Sequence, residues 1–311
     1  MIYFLKKLSF FAFVFILVIS IGLLLPTTPR ASQSLLFAKI DKDSLLKNTP
    51  SPRIIFIGGS NLSFGLNSQM IKDSLGVNPI NTGIHASIGL IYMMDNSINY
   101  IRSGDVVIIS PEYEQFYGNF AYGKEELLRT VCEVNSLHDA KQLRKQQWLN
   151  IAEFLPVLSF SKFKPSEYLN IKRNNIYSRN SFNQYGDVYT QWDLKQENFA
   201  SDGPITDHFN NNIIEELHKY KIILQEKGAI LFITFPDFQS TSFNKNKAQI
   251  AKVQSELKKN GFLLLGNPEK YKMPDSLMFN TPYHLLKVGV DLRTRLLIED
   301  IRAKPEITRR Q

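Results

Sequence analysis

Cysteine is almost absent from this sequence. Among its 311 residues there is one, Cys132, which excludes an intrachain disulfide and a cysteine-rich metal site. The count does not identify the compartment, because many exported proteins have no disulfide. The sequence also lacks a Gly-x-Gly-x-x-Gly run and a phosphate-binding loop pattern, which disfavours a dehydrogenase or a nucleotidase.

A basic block is missing as well. The net charge is +8, which favours anionic partners such as acidic glycans or lipid head groups. However, Lys and Arg form no dense cluster with interleaved aromatic residues, so no nucleic-acid partner is expected. Much of the excess charge lies between residues 293 and 310, where a solvated helix surface explains it equally well. Hydrophobic residues make up 43%, enough for one sizeable domain or a domain with an insertion.

The longest apolar run lies near the N-terminus. Residues 8–25 carry no charge and are long enough to cross a bilayer. Lys6 and Lys7 precede them, which places the N-terminus in the cytoplasm. A cleaved signal peptide is the alternative, but the run is long for one and residues 26–31 offer no small-x-small cleavage site. We therefore predict a single-pass anchor in the cytoplasmic membrane, residues 1–29, with the globular domain on the extracytoplasmic side.

The remaining chain divides by composition. Residues 30–52 are polar and end in Thr-Pro-Ser-Pro, which predicts a linker. An α/β domain is expected over 53–302, and a basic tail over 303–311. Residues 116–205 interrupt the domain with a loop-rich insertion that has a helical piece near 137–155. Such an insertion is either a lid over a substrate site or a partly ordered excursion.

Apolar runs alternate with helical patterns within 53–302. Strands are expected near 53–57, 79–83, 106–110, 229–235 and 262–265, and helices near 67–75, 87–101, 207–227, 244–260 and 285–302. This alternation predicts a three-layer parallel sheet with helices on both faces. We expect the last helix to bury one face, which carries Leu285, Val288, Leu292 and Leu296.

The first strand ends at a distinctive turn, Gly58-Gly59-Ser60-Asn61. Open α/β sheets place their chemistry just beyond the carboxyl ends of the strands, and the glycines permit a sharp turn that leaves the Ser60 hydroxyl accessible. A structural alternative is that Ser60 caps the following helix. His284 lies in a loop before the last helix, and an imidazole is what a serine hydroxyl needs as a proton acceptor. An isolated loop histidine is usually an ordinary exposed residue.

Taken together, these motifs resemble the SGNH (GDSL-like) hydrolase superfamily. The matching order is Gly58 to Asn61 after the first strand, residues 81–83 after the second, and His284 near the end. The resemblance spans 53–302 without the insertion, and it implies a flavodoxin-like fold that needs no metal or other cofactor. It also implies ester hydrolysis or acyl transfer. Membrane-anchored chains similar to this one often accompany cell-envelope polysaccharide assembly, which implies an acylated, for example acetylated, glycan as the partner.

The resemblance assigns roles to individual residues. Ser60, flanked by Gly59 and Asn61, would be the nucleophile, and His284 the general base. The N–H groups of Ser60 and Gly83 would face the developing oxyanion, although Gly83 also fits a simple turn glycine. His85 lies close enough to this site in sequence to contact substrate, or to cap the next helix instead.

Three positions depart from the family pattern. Gly59 replaces the usual Asp before the serine, and Thr281 replaces the Asp three residues before the histidine; Asn280 could orient the imidazole in its place. The Asn that serves as third oxyanion donor is also missing. Glu112 and Tyr113 lie there instead, and a carboxylate opposes an oxyanion unless it is protonated or turned away. Tyr113 or Asn119 could act as the donor, and Glu112 also fits a surface or loop-anchoring residue.

Two hypotheses follow from this pattern. The first is a membrane-anchored serine esterase or O-acyltransferase. The second, motivated by the missing acid and the missing oxyanion donor, is a catalytically inactive protein of the same fold that binds a glycan or an envelope-assembly partner. Because both hydrolysis and transfer pass through an acyl-enzyme, the sequence does not separate these two reactions.

Overall fold

A parallel sheet forms the centre of the protein. The computed structural model describes residues 1–135, 138–169, 171 and 174–308. Its strands are β1 (Arg53–Gly58), β2 (Asn78–Asn81), β3 (Val106–Ser110), β4 (Ile230–Thr234), β5 (Phe238–Gln239), β6 (Leu264–Leu265) and β7 (Lys272–Met273). Five of them form one sheet in the order β2-β1-β3-β4-β6, and β5 pairs with β7 separately. Every pairing is parallel.

Helices surround this sheet. They are α1 (Ile2–Leu24), α2 (Ala38–Asn48), α3 (Ser60–Ser63), α4 (Ser68–Leu75), α5 (Leu90–Ile98), α6 (Glu125–Arg129), α7 (Lys145–Ile151), α8 (Leu155–Ser161), α9 (Asn211–Glu226), α10 (Ser240–Lys245), α11 (Lys247–Lys259), α12 (Lys287–Arg302) and α13 (Pro305–Thr308). Two pairs flank the sheet, α4 with α12 and α5 with α9. All residues of β1 and β3 are buried, as expected for strands covered on both faces.

Strand order fixes where a site can form. The chain leaves β1 for β2 on one side and later returns to β3 on the other. Such a reversal opens a crevice beyond the carboxyl ends of the two central strands. The register pairs Gly58 with Ser110, so the residues that follow β1 and β3 emerge together at this crevice.

The prediction of a parallel α/β sheet flanked by helices is confirmed. The four longest strands fall within one or two residues of their predicted positions. Three predicted helices are shorter or divided. The helix predicted over 207–227 is α9, which spans Asn211–Glu226. Helix α5 begins at Leu90, after a 3-10 turn over Ala86–Ile88. The predicted helix 244–260 is interrupted at Asn246, between α10 and α11.

The predicted buried face of the last helix is confirmed in part. Leu285 is fully buried and Leu292 and Leu296 pack partly buried against the cores, whereas Val288 is 66% exposed. The fully buried residues of α12 are Gly289, Val290, Arg293, Thr294, Leu297, Ile298 and Ile301. They include Arg293, a residue that a hydrophobicity pattern places in solvent.

The segment predicted as a linker is part of the folded domain. It contains α2 and two 3-10 turns, and it buries Leu36 and Leu46. Lys42 is also buried, and its Nζ donates to the carbonyl oxygens of Asn81, Gly83 and Gly186. Burial lowers the pKa of Lys42 to about 7. The sequence suggested a solvated spacer because lysines are usually exposed, whereas this one holds α2 against the loop after β2.

The insertion builds a second hydrophobic core. Leu127, Leu128 and Leu158 pack there with Leu36 and with the two isoleucines beside His85, Ile84 and Ile88. The helical piece predicted near 137–155 begins at a residue outside the described part, and the structure has α7 and α8 separated by a 3-10 turn. The part of the insertion from α6 to α8 is therefore packed structure, whereas residues 193–198 are exposed.

The two ends of the chain differ in character. Helix α1 is long and apolar enough to span a membrane. Only 6% of its most apolar 18-residue stretch is buried against the rest of the protein. At the other end, α13 is the last described element and the predicted basic tail continues beyond it, into residues that lie outside the described range. Arg293, counted above with the solvated charges, is fully buried.

Candidate functional site

Ser60 and Glu112 meet at the crevice beyond the sheet. Each lies two residues after the paired positions Gly58 and Ser110, so strand register alone brings them together. Ser60 opens the short helix α3 and donates its hydroxyl hydrogen to Glu112 Oε1 at 3.2 Å. It is the partly exposed residue of an otherwise buried turn.

Gly59 leaves the space that Glu112 occupies. A Cβ atom at residue 59 would lie 2.8 Å from Glu112 Oε1 and 2.8 Å from Ala86 Cα. Neither neighbour is free to give way, because one is a hydrogen-bonded buried carboxyl and the other is main chain. An aspartate at residue 59, which the SGNH resemblance would lead one to expect, is therefore excluded by the glutamate that follows β3.

Glu112 is a buried carboxyl, which corrects its interpretation as a surface residue. It is 6% exposed, and its Oε1 accepts from the Asn61 main-chain N–H at 3.2 Å and from Asn61 Nδ2 at 3.4 Å. Burial raises its pKa to about 7, although the hydrogen bonds from Asn61 and Ser60 oppose this effect. Its loop-anchoring role is real as well, since its own N–H donates to Gln115 Oε1.

A buried ion pair between Arg293 and Asp237 supports Asn61. Arg293 of α12 donates through Nη1 to the Asn61 carbonyl oxygen at 3.0 Å and through Nη2 to Asn61 Oδ1 at 3.2 Å. Its Nε lies 3.0 Å from Asp237 Oδ1, and both side chains are essentially inaccessible to solvent. The turn that bears Ser60 is thus fixed by the last long helix of the chain.

His284 is held from its Nδ1 side. The amide of Asn280 gives an N–H to Glu197 Oε2 at 3.2 Å, which turns its Oδ1 toward the imidazole. Nδ1 of His284 lies 3.0 Å from that Oδ1 and 3.3 Å from the Tyr177 hydroxyl. The ring stacks on Phe64 with a 4.0 Å centroid separation. Because an amide oxygen only accepts, Nδ1 carries the hydrogen and Nε2 remains an acceptor.

Among the described residues, no carboxylate contacts the imidazole of His284. Burial, together with the smaller effect of the nearby His85, lowers the pKa of His284 to about 3. The ring is therefore neutral at physiological pH. A general base in this state depends on a bound substrate, and on the charge that develops in the reaction, to stabilise the imidazolium.

A cavity of about 790 Å³ connects these groups. Ser60, Glu112, His85 and His284 all line it. Within the described residues no hydrogen bond joins Ser60 to His284, and the hydroxyl is directed to Glu112 instead. The insertion supplies much of the remaining wall, which includes Tyr117, Phe120, Lys124, Tyr177 and residues 202–205. Four acidic side chains and one lysine face this space: Glu112, Glu114, Asp202, Asp207 and Lys124.

Two predicted oxyanion donors lie elsewhere. The Gly83 N–H donates to Asn81 Oδ1 at 3.0 Å, and a Cβ at Gly83 would lie 2.7 Å from the Gly59 carbonyl oxygen. Gly83 therefore packs beneath the Ser60 turn. Tyr113 is 1% exposed, its ring packs on Phe238, and its hydroxyl has no hydrogen-bond partner in the described structure. Neither residue lines the cavity.

His85 both caps a 3-10 turn and lines the cavity. Its Nδ1 accepts from the Ser87 N–H at 3.2 Å, which caps a 3-10 turn. It also lines the main cavity and a second cavity of about 470 Å³ that contains Arg30 and Arg129. Burial lowers its pKa, while the charge of Glu126 raises it. Leu35 and Tyr177 border both cavities.

Sequence reasoning missed several residues of this site. Tyr177 belongs to the loop-rich insertion, and Asp237 and Arg293 form the buried ion pair. The residues 237 and 293 carried no local signal, since a pair 56 positions apart is joined by tertiary structure alone. Within the described chain, no group of three or more His, Cys, Asp or Glu side chains is placed to hold a metal ion.

Comparison with models of known protein families gives no match for this chain, and comparison with curated proteins gives none either. Functional inference therefore depends on the site. It combines an accessible serine, a neutral imidazole whose Nε2 can accept a proton, and a buried carboxyl of raised pKa, all on one cavity. This set is chemically suited to acyl transfer through serine.

Proposed function

We propose that this protein is a membrane-anchored serine esterase or O-acyltransferase of the SGNH type, which acts on acylated cell-surface glycans. One observation carries the proposal: Ser60, Glu112 and His284 converge on a single cavity at the reversal point of a parallel sheet. The sheet order β2-β1-β3-β4-β6 also agrees with a doubly wound, flavodoxin-like topology, which is what the resemblance implies.

The first chemical step is attack by Ser60. Its Oγ bonds to the acyl carbon, and its proton passes to Nε2 of His284, which then gives it to the departing sugar oxygen. Water, or a hydroxyl of an acceptor, repeats the exchange and releases the acyl group from Ser60. The Asn280 oxygen stabilises the imidazolium through Nδ1–H less than a carboxylate would.

The oxyanion requires donors, and Gly83 supplies none. Ser60 is the first residue of α3, so its N–H has no intrahelical partner and is available to the developing charge. Glu112 in its neutral form adds an O–H donor beside it. A carboxyl whose pKa is raised by burial can serve in this way, which would replace the missing family asparagine.

The cavity wall narrows the substrate class. Its acidic residues outnumber its one lysine, so a neutral acetylated sugar is favoured over an anionic one despite the positive net charge of the chain. Helix α1 would place the domain at the outer face of the cytoplasmic membrane, as the lysines before it indicate. There the substrate would be an acylated envelope glycan.

A fluorophosphonate probe tests the nucleophile. We expect covalent labelling of the full chain in detergent, loss of labelling in Ser60→Ala, and strong loss in His284→Ala. Ser87→Ala is the matched control, because Ser87 lines the same cavity and has no proposed role. Labelling that persists in Ser60→Ala would refute the assignment of the nucleophile.

A second candidate function is glycan binding without catalysis. It is favoured by the hydrogen bond from Ser60 to Glu112, which turns the hydroxyl away from His284 in this structure. Free enzymes often show such loose geometry before substrate binds. Turnover of a simple acetyl ester by the full chain, abolished in Ser60→Ala, would exclude the binding-only function. Glycan binding without any turnover or labelling would support it.

A further inference from the structure

Helix α8 lies against the C-terminal half of the membrane-spanning candidate α1. The rings of Phe15 and Phe160 have centroids 6.1 Å apart, and Ser159 Oγ donates to the Val18 carbonyl oxygen at 3.3 Å. At Gly22 the helices approach so closely that a Cβ would overlap Ser159. These contacts are intimate helix packing, of the kind that small residues permit.

The contacts extend over a defined length of α1. At the end of α1, Lys162 Nζ donates to the Leu25 carbonyl oxygen at 2.8 Å. From Phe15 to Leu25 is ten residues, or about 15 Å of helix axis. This is about half of the roughly 30 Å hydrocarbon core of a bilayer. If residues 8–25 cross the membrane, α8 has to lie at the depth of one leaflet.

The outward face of α8 suits that depth. Val157 and Phe160 of α8, and Phe163 just after its end, are 50%, 41% and 47% exposed, although all three are apolar. Phe160 contacts Phe15 of α1, whose side chain is itself exposed. The opposite face buries Leu158 in the second core, where Leu23 of α1 also packs. An exposed apolar patch of this kind normally marks an interaction site.

Polar contacts begin where the span would end. Lys162 lies 3.9 Å from Glu133, and Thr28 Oγ1 donates to Glu167 at 2.8 Å. In the described part of the chain, these charged groups and their partners cluster just beyond Leu25, whereas the contacts given above between α1 and α8 involve apolar side chains and Ser159. This change from apolar to polar surroundings is what the boundary between hydrocarbon and head groups requires.

We propose that α8 is a second membrane element, which inserts beside α1 into the leaflet on the domain side and presents Val157, Phe160 and Phe163 to lipid chains. The proposal goes beyond the enzymatic function, but it depends on α1 being a membrane anchor. It fixes the domain on the bilayer in one orientation. Ile84 and Ile88 pack in the same core as Leu158, so the loop bearing His85 is connected directly to the inserted helix.

Site-specific lipid quenching tests this placement. The native thiol is removed with Cys132→Ser, and an environment-sensitive fluorophore is attached to single cysteines introduced as Val157→Cys or Phe160→Cys. The full chain is reconstituted into phosphatidylcholine–phosphatidylglycerol vesicles that contain lipid spin-labelled in the acyl chain. Phe11→Cys in α1 is the positive control, and Ile222→Cys, 55% exposed on α9, is the negative control.

We expect quenching at residues 157 and 160 comparable to that at residue 11, and none at residue 222. Quenching at residue 11 alone would overturn the insertion of α8 and leave the anchor intact. Absence of quenching at residue 11 would refute the anchor, and the insertion with it. Blue-shifted but unquenched emission at 157 and 160 would show that protein covers this face, either a second copy or another partner, and would also overturn the proposal. None of these results depends on catalysis.

Discussion

The Ser60 side of the cavity is built on paired strands, whereas the His284 side is built on loops and on the insertion. Ser60 and Glu112 are brought together by the register between β1 and β3. Arg293, which is paired with Asp237, holds the adjacent Asn61 by hydrogen bonds. His284 depends on hydrogen bonds with Asn280 and Tyr177, which come from two separate loops, and its ring stacks on Phe64, which directly follows α3. One side is therefore set by strand register, and the other by side-chain contacts between loops and the end of α3.

This difference indicates how such a site can operate. In the proposed mechanism, the strand-built side would keep Ser60 and its oxyanion donors in place without further reorganisation. Movement of the loops that carry His284 toward Ser60 on substrate binding would let these two side chains form the hydrogen bond that the described structure lacks. The two sides of the cavity therefore lead to separate predictions.

The largest expected effect is on the strand-built side. Arg293→Met removes the ion-pair partner of Asp237, whose pKa burial raises to about 7 even beside Arg293. Breaking this buried pair should cost about 3–5 kcal/mol of unfolding free energy, with Asp237 becoming protonated in the variant. Urea denaturation of the detergent-solubilised chain measures it. Arg295→Met is the control, because Arg295 is exposed on the same helix. Adding Asp237→Asn should recover part of the loss. Equal stability of the two arginine variants would show that the ion pair does not support the Ser60 turn.

Overpacking beside Ser60 should lower the free energy of unfolding by a smaller amount. Gly59→Ala inserts a Cβ against Glu112 and Ala86, and overpacking of this kind costs about 1–3 kcal/mol. Fluorophosphonate labelling should fall with stability, since the displaced group is the one that Ser60 contacts. Gly203→Ala serves as the control, because a Cβ there meets no atom within 4 Å. Wild-type labelling of Gly59→Ala would mean that the turn has room that this structure lacks.

Replacement of Glu112 should change the pH dependence of stability. Its pKa is raised to about 7 in the folded protein, so its contribution is complete below about pH 4.5 and is lost as pH rises through about 7. Glu112→Gln lacks this loss. Its stability relative to wild type should therefore improve from pH 5 to pH 8, by on the order of 1–3 kcal/mol.

Glu153→Gln controls for the loss of one exposed carboxylate. A stability difference for Glu112→Gln that does not vary between pH 5 and pH 8 would argue against the raised pKa. Activity adds a second readout, because glutamine mimics a neutral carboxyl. Retained turnover would support the donor role, whereas complete loss with intact folding would indicate that the carboxylate itself accepts the Ser60 proton.

The smallest expected effect is on the loop side. Asn280→Asp places a carboxylate beside Nδ1–H, which should raise the pKa of His284 by about one unit or more. Histidine NMR titration measures this shift. The wild-type imidazole, with its pKa of about 3, contributes stability above about pH 6.5 that is lost as pH falls, and the variant should lose less of it. Asn175→Asp, an exposed position of the insertion, should leave the pKa of His284 unchanged.

The sequence could predict the strand-built side better than the loop side. Apolar runs and glycine turns located β1 and β3, and the parallel arrangement placed Ser60 and Glu112 at one edge of the sheet. Even there, hydrophobicity treated Glu112 and Arg293 as solvent-facing, because burial of a charged group depends on partners distant in sequence. The burial of Lys42 also depends on partners distant in sequence, so the segment that contains α2 was predicted to be a solvated linker.

Local sequence determined the elements themselves: the long apolar helix α1, the strand-and-helix alternation, the turn at Ser60 and the position of His284 before the last helix. Those features arise from backbone preferences and hydrophobic periodicity, which act over a few residues. Tertiary structure decided the chemistry around them. It directed the Gly83 N–H to Asn81 and buried Tyr113 outside the cavity. It also placed Asn280 and Tyr177 within hydrogen-bond distance of the His284 imidazole. Hydrogen-bond partners and burial are set by residues far apart in the chain, so no local pattern could assign them.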